Sequence, residues 1–141
     1  MLTAVALAAM ILSLVVGLVM LAGLVRSGRQ LPGFVPLHLV LALASLGGWT
    51  AYAVQDDRPT WLAWTVFLLL VATNTFGDQL MLQAWRARAG RDGSPVPTGA
   101  RAYLAAALDI LSFERPTASI HALLAPVSFF SVLLVTLGVG D

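Results

Sequence analysis

The sequence predicts an all-α integral membrane protein, with four spanning helices in a bundle and one shorter helix at the membrane surface. Three observations predict it. Hydrophobic residues make up 59 % of the 141, and charged residues only 11 %, against roughly a quarter in soluble domains. The apolar residues fall in four long blocks, and nearly all the charges lie between the blocks. The whole chain, 1–141, reads as a single domain.

A spanning helix needs about 20 mostly apolar residues. The first block, 2–25, resembles a signal peptide only in its position. It has no basic residue ahead of it, its apolar run is too long, and Arg26 and Arg29 follow it, so a retained helix is expected. The second block is 34–54 and the third 61–85. After the third comes RARAGRDGSPVPTG, 86–99, a Pro/Gly-rich loop. The next stretch, ARAYLAAALDILSFER, 100–115, is too short to span. Tyr103, Leu104, Ala107, Leu108 and Leu111 recur in it at helical spacing, which predicts a helix lying at the interface. Pro116 ends it or kinks it; the other reading is a helix continuing through the kink into the last block, 119–138.

Arginine sets the expected orientation. Seven of the eight fall in two segments: Arg26 and Arg29 after the first block, then Arg86, Arg88, Arg91, Arg101 and Arg115 after the third. The loop QDDRP, 55–59, has only Arg58. The positive-inside rule then puts 26–33 and 86–116 in the cytoplasm and both termini outside, in the plasma membrane of a bacterium. There is no cysteine, hence no disulfide, thiolate site or thiol nucleophile. A net charge of +1 gives no footprint for nucleic acid. No hydrolase, zinc-protease, phosphate-loop or dinucleotide signature is present.

Only two histidines occur, and both sit in apolar blocks. His38 is followed by Leu41, Ala42 and Ser45; His121 is followed by Leu124, Ala125 and Ser128 at the same spacings. The halves therefore share a plan of helix, basic link and helix opening with His, which predicts a 2+2 parallel repeat about an axis along the membrane normal. His38 lies about four residues inside its helix, roughly 6 Å below the boundary. His121 lies at a similar depth on a helix running the same way, so the two rings are expected to face each other. Ala42 and Ala125, then Ser45 and Ser128, follow on the same faces. Such a stack leaves a slot for a flat macrocycle, with each His an axial ligand of haem b iron. Arg26, Arg29, Arg86 or Arg115 would neutralise its propionates. The plainer reading is that each His snorkels to the headgroups or donates one hydrogen bond to a neighbouring carbonyl.

The third block has its own polar cluster. Asn74 and Asp78 share a face, and Gln79 and Gln83 form a second pair. Asp78 lies roughly 10 Å deep, where an unpaired carboxylate is costly. It is expected to face the bundle interior, in one of three roles. It can hydrogen-bond a His Nδ1–H as an outer-shell group, complete a His–His–Asp metal site, or stay protonated as interhelical glue. Gly17, Gly47 and Gly48 suit close helix approach, and Pro126 a kink above His121. Trp49, Trp61 and Trp64 suit the outer aromatic belt and Trp85 the inner one, with interior packing a second option for Trp49.

In general layout the chain resembles membrane cytochromes whose four-helix bundles hold haem b between His pairs, although it has one pair where those have two. The first expectation is an electron-transfer subunit with a single bis-His haem b, exchanging electrons with a membrane quinone. The second is a non-catalytic subunit packed against a larger membrane complex. The third is proton or metal movement through His38, Asp78 and His121.

Overall fold

The computed structural model describes residues 1–28, 30–90 and 96–140. Arg29 and Arg91, counted above with the basic links, lie outside them. Five helices make up the fold: α1 (Leu2–Arg26), α2 (Val35–Val54), α3 (Thr60–Ala89), α4 (Gly99–Leu111) and α5 (Pro116–Thr136). No strand occurs among the described residues. All but α4 are long and apolar enough to cross a membrane.

The two largest departures from the expected boundaries each have a local reason. The amphipathic helix stops at Leu111, not 115. Phe113 takes a left-handed φ of 58°, and the residue before a proline is driven from helical backbone, as the φ of −131° and ψ of 80° at Arg115 record. Pro116 then opens α5 at a position where its missing N–H costs nothing. At the other boundary, α3 runs on to Ala89. Its last turns have a partner, because Trp85 is buried against Ala102 and Ala106 of α4, with Ala89 beside them. That burial also corrects Trp85 as a belt residue. The large side chains Tyr103, Leu104, Leu108 and Leu111 of α4 are exposed.

Around the bundle the order is α1, α2, α3, α5. The broadest contacts are α1 with α5 and α2 with α3, and α2 and α5 stand across a diagonal. Leu2 lies against Gly140, so both ends of the chain meet at one end of the bundle, called here the terminal end. The hydrophobic core sits there. Ala6 and Met10 of α1, Trp49 and Tyr52 of α2, Ala63, Val66 and Leu70 of α3, and Val132 and Val135 of α5 form it. Trp49 is fully buried and donates its Nε1–H to the Thr3 carbonyl at 3.0 Å; Trp61 and Trp64 are exposed. Gly48 makes room for the Val66 side chain of α3, since a Cβ there would stand 2.8 Å from Val66 Cγ2, whereas Gly47 meets nothing.

The buried positions reveal a repeat. A shift of 60 residues carries buried Thr3, Ala6 and Met10 of α1 onto buried Ala63, Val66 and Leu70 of α3. A shift of 83 carries buried Ser45, Trp49 and Tyr52 of α2 onto buried Ser128, Val132 and Val135 of α5. The contacts obey the same exchange, because swapping α1 with α3 and α2 with α5 maps the α1–α5 pair onto α3–α2.

Candidate functional site: a histidine pair on two glycines

His38 and His121 meet across the diagonal, with ring centroids 6.1 Å apart and planes at 72°. Neither contact with the neighbouring helix is to a side chain of opposite charge. His38 Nδ1 is 2.9 Å from the Thr73 carbonyl, and His121 Nδ1 is 2.9 Å from the Ser13 carbonyl. Four residues beyond each acceptor is a glycine. A Cβ added at Gly77 would stand 3.2 Å from His38 Cε1, and one added at Gly17 would stand 3.2 Å from His121 Cε1.

The geometry follows from helix chemistry. A helical carbonyl accepts from the N–H four residues on and keeps a second lone pair. The side chain at that later position flanks the carbonyl and shields it. Glycine removes the shield, so an imidazole from the next helix can lie on the backbone and reach the free lone pair. Ser13–Gly17 and Thr73–Gly77 are thus one device used twice, and the 60-residue shift relates them.

A carbonyl only accepts, so each Nδ1 is a protonated nitrogen, and in the neutral ring each Nε2 then carries a bare lone pair. Among the described residues neither Nε2 has a hydrogen-bond partner. No buried side-chain nitrogen or oxygen among those residues lacks a partner either. Neither Nε2 is therefore completely buried. The packing agrees: beyond the histidines, away from the terminal end, only Trp85 and Ser119 of the four long helices are buried, and both touch α4.

The remaining sequence candidates fall into place around this pair. Ala42 and Ala125 are half-buried. Ser45 and Ser128 are buried, but their hydroxyls turn back on their own helices. Ser45 donates to Leu41 O at 2.8 Å, and Ser128 lies within 3.1 Å of Leu124 O and 3.0 Å of Ala125 O. Asp78 does not serve either imidazole. It follows Gly77 and so points about 100° further round α3, where Tyr103 of α4 donates to its Oδ2 at 3.0 Å. Asn74 is half-buried, and Gln79 and Gln83 are exposed. No group of three or more His, Cys, Asp or Glu that could hold a metal ion forms among the described residues, so the His–His–Asp arrangement is not assembled.

Sequence reasoning missed Ser13 and Thr73, and took Gly17 for a helix-packing residue. The signal was available: both histidine-receiving helices carry a hydroxyl residue four before a glycine, at one depth. No family model matches the chain, and no curated protein or solved structure matches it.

Proposed function

We propose that the four long helices cross a bacterial plasma membrane, with 26–33 and 86–116 in the cytoplasm, and that His38 and His121 hold the iron of one b-type haem for electron transfer. The observation that carries the reading is the matched pair of Nδ1–carbonyl contacts, at 2.9 Å each. Both Nδ1–H groups are tied to carbonyls, which is how ligating histidines are oriented and made more basic, and both Nε2 lone pairs are left over. The spacing suits a single metal. The ring centroids, 6.1 Å apart, are close enough that both imidazoles could hold one iron. An edge-to-face ring contact has similar spacing, but it gives no role to the two Nε2 atoms.

Bound there, the iron would supply a one-electron carrier. The chain's own residues fix the ring planes through the Ser13 and Thr73 carbonyls and keep the terminal end closed through the Trp49 core. The reading is tested by purifying the protein in detergent after expression with ample haem. A Soret band, with split bands on reduction, is expected. A colourless protein sinks the proposal and leaves the packing-subunit alternative. Orientation is tested separately, since the chain has no native cysteine. Cysteine at Asp57 should be labelled from outside intact cells and cysteine at Ser27 should not.

A further inference from the structure

The two histidine seats are not equally enclosed. Between α2 and α3, the Phe34 and Phe76 rings pack at a tilt of 41° with centroids 5.5 Å apart, just beyond His38. The repeat shifts place Thr117 and Val16 at those positions in the α5–α1 interface. With the aromatic plug gone, a groove of about 500 Å³ opens between α1 and α5, walled by Val19, Met20 and Gly23 and rimmed by Ser27, Thr117 and Arg115. It begins half a turn past Gly17 and one turn before His121.

Arg115 stands six residues from His121, about 9 Å along the helix. Its backbone is held by the first turn of α5, where Ser119 N–H donates to its carbonyl at 3.0 Å. Its guanidinium pairs with Asp109, which also takes Arg88 Nη2 at 2.7 Å. Two guanidiniums thus share one carboxylate, and Glu114 is the nearest other acid, exposed on the α4 side. Arg115 has five donors and uses one Nη2 on Asp109, so donors remain for an anion in the groove. A groove of apolar side chains that starts one turn from His121 and has Arg115 in its lining fits a molecule that is flat and apolar at one end and carboxylated at the other.

We infer that this groove seats the carboxylate arms of the haem held by His38 and His121, with Arg115 as their counter-ion. The inference rests on the haem reading above. It fixes which edge of the macrocycle faces α1 and α5, and it singles out Arg115 from the basic residues of the two links.

The test compares haem with its dimethyl ester, which has the same ring and no free carboxylate, on the full-length protein in detergent. The native chain should bind haem about tenfold tighter than the ester, the scale of one charge-assisted contact. Arg115→Gln should bind the two alike. Because Arg115→Gln also disturbs the pair with Asp109, Gly23→Leu is the second variant: it fills the groove without touching that pair and should weaken haem binding severalfold. Haem bound without preference over the ester, or a preference that survives Arg115→Gln, overturns the inference and leaves the haem reading standing. A native chain that takes up neither compound overturns the haem reading and this inference with it. An Arg115 effect seen only as a dependence on phosphatidylglycerol in nanodiscs, with the haem preference unchanged, overturns it in favour of a lipid phosphate.

Discussion

His121 lies between α1 and α5, and His38 lies between α2 and α3. At the imidazole the two seats match to the precision of the contacts: a carbonyl at 2.9 Å and a glycine whose Cβ would stand at 3.2 Å. Away from the imidazole they diverge. The α3 side carries Asn74, Asp78, Gln79 and Gln83, where the repeat puts Leu14, Leu18, Val19 and Gly23 in α1. Phe34 and Phe76 close one flank, a groove opens the other, and α4 exists only in the second half. The carbonyl and the glycine at each ring are kept in duplicate and what surrounds them is not. That is the pattern expected when one object is gripped from both sides and the flanks do separate jobs.

The largest effect should come from the rings themselves. His38→Ala and His121→Ala should each abolish most haem uptake, and the double variant should add little, because residues sharing one ligand are not additive. The haem-to-protein ratio after purification measures this. Small losses that add, with no change in any chromophore, would mean two independent seats. In that case each substitution would lower stability by about 1 kcal/mol or less, as single intramembrane contacts do.

The glycines come next. Gly17→Ala and Gly77→Ala each put a methyl against an imidazole Cε1 at 3.2 Å. The ring must give by a few tenths of an ångström, which lengthens the Nδ1–carbonyl bond. Helix propensity favours alanine by about 1 kcal/mol, and overpacking opposes it by about 1–3 kcal/mol. Thermal stability should therefore move little, while haem retention falls severalfold and by a similar factor in both variants. Unequal losses would break the comparison between the seats.

The hydroxyls of Ser13 and Thr73 sharpen it. Ser13 Oγ lies 3.2 Å from His121 Nδ1. Thr73 Oγ1 instead donates to Leu69 O at 2.7 Å and sits 3.5 Å from Ser45 Oγ. Ser13→Ala should shift the midpoint potential slightly, since it removes a contact at the ligand. Thr73→Val should leave the potential alone and act on stability by about 1 kcal/mol. A potential that moves with Thr73→Val would contradict the hydroxyl assignment.

Much of the fold was legible in the sequence, because four apolar blocks separated by arginines leave few alternatives. Helix ends within those blocks were readable to a few residues. The stop at Leu111 was not, since it depends on the left-handed turn at Phe113. At the site, the matched neighbours of His38 and His121 pointed to a pair, and the structure brings their rings together. Of the three roles the sequence left open for Asp78, the structure shows an interhelical contact, to Tyr103, and none to the rings. A carboxylate is the obvious acceptor in a sequence, whereas a backbone carbonyl is invisible there and becomes available only where a glycine uncovers it. The open groove was equally hidden, because it consists of side chains that are absent from one half and present in the other.

The smallest effect concerns Asp78 and Tyr103. Tyr103 is 44 % exposed on α4, yet burial, and then the hydrogen bond and charge of Asp78, push its phenol above the ordinary 10.0. The protonated phenol is the form that donates to Asp78 Oδ2, so a raised value means that folding favours keeping the proton. The contact's contribution is thus fully present below pH 10.0 and is lost as pH rises through the raised value. At neutral pH it adds no pH dependence. The phenolate absorbance that Tyr103→Phe removes identifies the titration of this residue against that of Tyr52. Asp78→Asn should bring that titration down but leave it above the ordinary value, because burial is the larger cause and the amide carries no charge. Both substitutions should change stability by about 1 kcal/mol or less, and neither should alter the haem-to-protein ratio, because neither group touches an imidazole. A titration indifferent to Asp78→Asn would detach α4 from α3 at this point. A loss of haem with Asp78→Asn would return the carboxylate to the histidine pair and make the His38 seat chemically unlike its twin.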